Sequence, residues 1–413
     1  MDRVLSNADL LASHIFPCFS YKNAAIATQV CQQWRSVIHS MLFQAAPFHA
    51  KLLLASSNRQ EIADVSCFLK EFCTPGPIPG VKLFKKKLSR AYKDFWLTSC
   101  TAGDNDTFYC CQYRGGGKGS VIQFSGDFNG QPCTSWSHRH SGSSGEQVAS
   151  STSLQSPEGI TCINGALFVL TAEAILVQIA HIHGRWQEVA SVSLGDGVPW
   201  ALRHGPDGAL YAAWDNPYET DSYVEPPADA HGCVKRIQLQ LKDCPSASMV
   251  DEAHQSIHAF TGTPVRRPSG LCFGPCGSLF VTSMGDDEGC ILGFAGPLHN
   301  QPGTLKLRVP VQPFGLLPWD VVALPGAHGT TNLVASVHRN RDDHNLEQLR
   351  SRMDVSEQRG EPVHHDPELE HSLACFLCRI DGVDVPNSRI RGQSYFRRLP
   401  FAISHANMMY LCA

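Results

Sequence analysis

The residues that could do chemistry in this chain are few and widely spaced. Glu158 and Asp320 each stand at the start of a short apolar run, and His204 follows a third such run. Carboxylate oxygens are good ligands for divalent cations, but such a site usually needs six or more oxygens. Two carboxylates are too few, so these residues alone predict no metal.

Two other motifs lack the parts that would make them sites. Cys375 and Cys378 form a C-x-x-C pair, but no second pair stands at zinc spacing. The glycine-rich run 114–119 lacks the Gly-Lys-Ser/Thr ending and the following helix of a phosphate loop, and a hairpin explains it. No nucleophile elbow or kinase motif is present either. We therefore predict no catalytic residue and no cofactor, and expect the chain not to be an enzyme.

Composition narrows the class of protein further. The 413 residues carry a formal net charge of −4, so no global charge favours nucleic acid or an anionic membrane as a partner. No run of about 18 apolar residues and no signal-peptide core is visible. The 17 cysteines are scattered and many stand in apolar runs, which is typical of reduced, buried thiols. We expect a cytoplasmic or nuclear protein.

Residues 1–48 are predicted to form three short helices. An apolar segment, 9–16, precedes Phe19, a possible cap at Asn23, and the segment 30–38 with its Val-Cys-x-x-Trp-Arg core. These residues resemble an F-box. The resemblance implies docking onto a Skp-type adaptor of a cullin–RING ubiquitin ligase. The residues it assigns to adaptor binding are Leu11, Ile15, Phe16, Phe19, Val30, Cys31, Trp34 and Arg35. The alternative is a helical bundle that packs on its own downstream domain.

Residues 49–96 are expected to be a helical linker. Short apolar runs at 51–54 and 65–69 are compatible with helices, and 81–96 has aromatic residues at helical spacing with basic residues between them. Such a basic run is more often a solvated helix face than a binding site.

Residues 97–413 contain a repeated unit. In each copy a proline opens a short apolar run, a glycine or asparagine turn follows, and a second apolar run comes after it. The copies begin at Pro157, Pro199, Pro268, Pro318 and Pro400, with a weaker copy at Phe95. Short strands repeated about six times are typical of an all-β propeller, and this repeat resembles the NHL and gluconolactonase-like propellers. The last copy is short, so either an N-terminal strand near 80–83 or 95–99 completes it, or the chain is cut short.

The fold class expected is thus a small all-α F-box with a helical linker, followed by an all-β propeller of about six blades. The function expected is substrate recognition for a Skp/cullin/F-box ubiquitin ligase, in which the propeller binds an unknown target protein. The alternatives are a metal-dependent, lactonase-like or esterase-like propeller and a propeller scaffold without a ligase role. Residues near the repeat starts are the candidates for target binding: Trp200, Arg203, His204, Trp319 and Asp320. The two indoles either face a target or fill the gap between blades.

Overall fold

The computed structural model describes seventeen segments of the chain. They are residues 50–56, 62–64, 82–84, 95–103, 107–114, 118–125, 146–149, 154–215, 232–238, 256–263, 265–284, 289–311, 316–326, 330–339, 374–392, 394–402 and 406–412. The regular elements in these segments are all β-strands. Within them, no helix long and apolar enough to cross a membrane is found.

The strands follow one another along the chain at short intervals. They are β1 (Ala50–Ser56), β2 (Ile62–Asp64), β3 (Lys82–Phe84), β4 (Phe95–Ala102), β5 (Thr107–Arg114), β6 (Lys118–Ser125), β7 (Glu146–Ala149), β8 (Pro157–Ile163), β9 (Ala166–Thr171), β10 (Ile175–Ile182), β11 (Arg185–Ser193), β12 (Val198–His204), β13 (Leu210–Asp215), β14 (Cys233–Gln238), β15 (Ser256–Ala259), β16 (Pro268–Phe273), β17 (Leu279–Ser283), β18 (Cys290–Phe294), β19 (Leu305–Pro310), β20 (Leu316–Pro325), β21 (Thr331–Arg339), β22 (Ala374–Asp384), β23 (Arg389–Ile390), β24 (Ser394–Ala402) and β25 (Ala406–Cys412).

These strands pair into six antiparallel sheets. Five are built from consecutive strands: β4 to β7, β8 to β11, β12 to β15, β16 to β19, and β20 to β23 with β24 also paired to β22. The sixth has the order β25-β1-β2-β3. The innermost strands β4, β8, β12, β16, β20 and β25 lie side by side in a closed ring. The architecture of the described residues is that of a β-propeller, as the repeat predicts.

Tight turns connect the first two strands in three of the repeats. Asn164 and Gly165 both have positive φ (51° and 78°), the conformation that a two-residue hairpin loop of the twisted type requires. Gly208 and Gly277 stand at the matching points of later sheets, also with positive φ. The expectation that a glycine turn precedes the middle strand is confirmed at these three places.

The core lies between neighbouring sheets. One cluster of buried residues joins β8–β10 to β12–β14, and a second joins β12–β14 to β16–β18. Phe168 of the first cluster and Tyr211 of the second are fully buried, each on the second strand of its sheet, and Phe280 on β17 is fully buried in a third cluster. Because each sheet's apolar face is covered by the next sheet, the ring has to close to leave none exposed.

The helical linker expected at 49–96 is wrong for the residues that the structure describes. β1, β2 and β3 are strands of the sheet that also holds β25. The run 51–54 is so short that its apolar pattern fits a helix and a strand equally well. It forms a strand because it pairs with β25: seven residues of β1 are in register with that strand, from Ala50 opposite Cys412 to Ser56 opposite Ala406.

An N-terminal strand therefore completes the last unit, as one of the two alternatives predicts. The strand that pairs with β25 is β1, residues 50–56. The expected strand near 80–83 overlaps β3, which is the outermost strand of the same sheet, whereas 95–99 belongs to β4 of the next sheet. Pro400 does not open an innermost strand either, because it belongs to β24, which pairs with β22 at the edge of the preceding sheet. Residues 1–48, with the F-box resemblance, lie outside the described residues.

Candidate functional site

Five innermost strands share an irregularity near their first residues. The register with the neighbouring strand shifts between Leu97 and Ser99, Pro157 and Gly159, Pro199 and Ala201, Pro268 and Leu271, and Pro318 and Asp320. Such a β-bulge turns the side chain of the extra residue away from the regular alternation. The extra residues are Thr98, Glu158, Trp200, Ser269 with Gly270, and Trp319.

Small residues follow these bulges because the next innermost strand comes close. A Cβ on Gly159 would lie 2.8 Å from the backbone nitrogen of Leu202. A Cβ on Gly270 would lie 2.7 Å from the Cα of Asp320. Real side chains do not approach backbone atoms so closely, so both positions require glycine.

Hydroxyl groups tie some bulges to the next sheet. The Thr98 hydroxyl donates to the carbonyl oxygen of Pro157. The Ser269 hydroxyl donates to the carbonyl oxygen of Trp319 at 2.7 Å. These bonds tie the bulge of β4 to that of β8 and the bulge of β16 to that of β20. Because all five bulges stand near the start of their strands, they lie at the same end of the ring.

Glu158 is the carboxyl group among these bulge residues. Burial, and to a smaller extent the negative charge of Glu173, raise the pKa of the Glu158 carboxyl to about 8. Glu173 lies in the turn between β9 and β10, where Ala172 donates a backbone hydrogen bond to Ser156. At neutral pH Glu158 therefore keeps its proton and can donate a hydrogen bond or the proton itself.

Two indoles and an ion pair meet across the ring from different sheets. The ring centroids of Trp200 and Trp319 are 6.1 Å apart in an edge-to-face arrangement. The guanidinium Nη2 of Arg203 lies 3.4 Å from Oδ2 of Asp320. We call Glu158, Trp200, Arg203, Trp319 and Asp320 the central site.

Asp320 is held by its own strand as well as by Arg203. Its Oδ1 accepts a hydrogen bond from the backbone N–H of Val321 at 2.8 Å, and its own N–H donates to the hydroxyl of Ser336 at 3.1 Å. Below the pair, burial and then the Asp320 charge raise the pKa of the Cys272 thiol, which is therefore not a nucleophile at neutral pH.

The structure brings together four of the five residues that the sequence suggests for target binding. Trp200, Arg203, Trp319 and Asp320 contact one another in pairs. His204 ends β12 opposite Leu210 and is partly buried. Whether any of them binds a target protein stays a prediction.

The residues that fix the site were missed by the sequence argument. Ser269, Thr282 and Ser336 place the bulges through hydroxyl hydrogen bonds. The one signal was Ser269 itself, which stands between proline and glycine where other repeats carry Glu158 or a tryptophan.

The central site does not fit a divalent cation. No group of three or more histidine, cysteine or acidic side chains suited to a metal occurs in the part of the chain that the structure describes. Both carboxylate oxygens of Asp320 accept hydrogen bonds, and Glu158 holds its proton at neutral pH. These residues therefore do not support a metal-dependent reaction.

Comparison with known proteins gives neighbours in structure only. No protein-family model and no curated protein matches the chain. The gluconolactonase of Xanthomonas campestris is 16% identical, with 59% of this chain and 72% of that chain covered and a TM-score of 0.38. A candidate 6-phosphogluconolactonase of Bacteroides uniformis is 11% identical, with 86% and 84% covered and a TM-score of 0.42. TolB of Acinetobacter baumannii is 10% identical, with 91% and 72% covered and a TM-score of 0.42.

These neighbours correct the expectation that the chain is not an enzyme, since propellers similar to it include proteins named as gluconolactonases. They give no support to an F-box or a ubiquitin-ligase role. At such low identity the likeness concerns the fold, so the activity of this chain has to be argued from its own residues.

Proposed function

We propose that the chain is a lactonase-like hydrolase that binds a small cyclic ester at the central site. The observation that carries the proposal is the shared bulge, which places the Glu158 carboxyl and the indoles of Trp200 and Trp319 at the same end of the ring. A protonated carboxyl, an arginine and partly buried aromatic rings are the groups that small-molecule sites combine.

Glu158 is the acid in this proposal. Water attacks the carbonyl carbon of the ester, the bond from that carbon to the ring oxygen breaks, and the ring oxygen leaves as an alcohol after it takes a proton. Glu158 supplies that proton, the water that attacked loses one to solvent, and Glu158 takes a proton back from solvent before the next turnover. The product is the hydroxy acid, so the reaction needs no other reactant. A carboxyl with a pKa near the working pH suits this role.

The test is hydrolysis of glucono-δ-lactone and of a panel of related sugar lactones, followed with a pH indicator and corrected for spontaneous hydrolysis. We expect the full chain to accelerate the reaction and the rate to fall as pH rises through about 8, where Glu158 loses its proton. Glu158→Gln should lose roughly a hundredfold or more in rate, the usual contribution of a general acid.

The matched control is Glu188→Gln. Glu188 is exposed on the outer strand β11, away from the ring centre, so its rate and pH profile should equal those of the unchanged chain. A chain that hydrolyses no lactone of the panel, or a Glu158→Gln variant that is as fast as the unchanged chain, would contradict the proposal.

A separate proposal concerns residues 1–48 and rests on the Val-Cys-x-x-Trp-Arg core alone. We propose that this segment docks a Skp-type adaptor. The full chain should bind a purified adaptor, and Phe16→Ala should weaken binding by roughly 2–4 kcal/mol if the ring is buried at the contact. Leu298→Ala, at an exposed propeller residue, is the control. An unchanged affinity in Phe16→Ala, or no binding at tens of micromolar, would reject it.

A further inference from the structure

The central site contains contacts that skip one sheet of the ring. Arg203 belongs to β12 and Asp320 to β20, while β16 lies between them. At the matching point β16 carries Ser269 and Gly270. Because neither has a long side chain, Arg203 reaches Asp320 and Trp200 reaches Trp319 in front of β16.

This part of the site is fixed before any ligand binds. The carbonyl oxygen of Trp319 accepts hydrogen bonds from the hydroxyls of Ser269 at 2.7 Å and Thr282 at 3.3 Å. The Thr282 hydroxyl also accepts from the N–H of Gly270 at 2.7 Å, and it is fully buried. Groups that hydrogen bonds already hold in place bind a ligand without the entropy cost of becoming ordered.

Arg203 keeps hydrogen-bond donors for a ligand. A guanidinium has five N–H groups. Among the described residues, those of Arg203 reach only the carbonyl oxygen of Leu202 at 2.9 Å and Oδ2 of Asp320 at 3.4 Å. The side chain of Arg203 is 20% exposed and that of Asp320 only 5%, so Arg203 is the member of the pair that solvent reaches.

We infer that the ligand of the central site carries an anionic oxygen group next to a saturated ring. Arg203 binds the carboxylate or phosphate oxygens, a geometry for which a guanidinium is suited. The indoles of Trp200 and Trp319 hold the ring. The inference rests on the proposed function and narrows its substrate class from sugar lactones in general to those of acidic or phosphorylated sugars.

Binding of compounds that cannot be hydrolysed tests the inference. Isothermal titration of the full chain with D-glucuronate, D-glucose 6-phosphate and D-glucose compares a carboxylate, a phosphate and a neutral ring. At least one of the two anions should bind roughly tenfold or more tightly than glucose, the effect of one charge-assisted pair of hydrogen bonds. Whichever anion binds more tightly identifies the group.

Arg203→Gln should remove this preference, while Arg308→Gln, on the exposed outer strand β19, should keep it. If Arg203→Gln does not fold because Asp320 is left without its cation, the double variant Arg203→Gln with Asp320→Asn removes both charges and gives the same comparison. A preference that survives in these variants, glucose binding as tight as both anions, or no saturable binding would overturn the inference.

The lactone assay on the same preparation separates the two proposals. Hydrolysis without a preference for anionic sugars contradicts the ligand inference and leaves the hydrolase standing. Anion binding that depends on Arg203 without hydrolysis of any lactone contradicts the hydrolase and leaves the site as a binding site.

Discussion

Leu54→Ala is expected to lower the free energy of unfolding by about 2–5 kcal/mol, the usual cost of a cavity at a fully buried leucine. Leu54 lies on β1, is 0% exposed, and stands opposite Met408 of β25. The loss should be at the upper end of this range, because β1 joins the two ends of the ring. Urea unfolding followed by tryptophan fluorescence measures it.

The control for this prediction is Leu298→Ala. Leu298 is 49% exposed, so its truncation should change the free energy of unfolding by no more than about 0.5 kcal/mol. If both variants lost the same small amount, β1 would not pack inside the ring and the closure described for β1 and β25 would be wrong.

The propeller could be predicted from sequence because the features that define each repeat lie close together in the chain. Each unit carries its own proline, turn glycine and apolar runs, so the repeat at Pro157, Pro199, Pro268 and Pro318 is visible without knowing any contact. The closure is different. Nothing in the run 51–54 indicates which strand it pairs with, and that strand, β25, lies at the other end of the chain. Pairing over such a distance overrides the local pattern.

The central site was predicted in part for a similar reason. Trp200 and Trp319 follow prolines at the same point of two repeats, so register alone places them at one end of the ring. The ion pair of Arg203 with Asp320 depends on the short side chains at Ser269 and Gly270, which stand in the bulge of β16. The sequence does not show which strands this bulge lies between. The raised pKa of Glu158 depends on burial, which a sequence position does not reveal.

Glu158→Gln is expected to stabilise the protein at alkaline pH. An ordinary glutamic acid has a pKa of 4.5, and burial with the charge of Glu173 raises that of Glu158 to about 8 in the folded chain. The folded state therefore binds the proton more tightly than the unfolded state. The stability from this proton is complete below about pH 4.5, falls as pH rises from there, and is lost above about pH 8.

Glutamine has nearly the same shape and cannot ionise, so the variant avoids this loss. Between pH 4.5 and pH 8, each pH unit changes the difference in free energy of unfolding between Glu158→Gln and the unchanged chain by up to about 1.4 kcal/mol. With allowance for the partial exposure of Glu158, Glu158→Gln should exceed the unchanged chain by about 2–4 kcal/mol at pH 9. At pH 4 the two should be nearly equal. Thermal unfolding between pH 4 and pH 9 measures the difference, with Glu188→Gln as the control.

A gain in stability at alkaline pH together with a loss of lactone hydrolysis in Glu158→Gln distinguishes a reacting carboxyl from a structural one. A buried side chain kept for packing destabilises the fold when it is replaced. A carboxyl kept for catalysis is retained at a cost to stability. Its replacement by glutamine should therefore raise the melting temperature above pH 8 and also lower the rate of lactone hydrolysis roughly a hundredfold or more. If Glu158→Gln and the unchanged chain have parallel stability curves across this pH range, Glu158 is an ordinary ionised carboxylate and cannot be the acid of the proposed reaction.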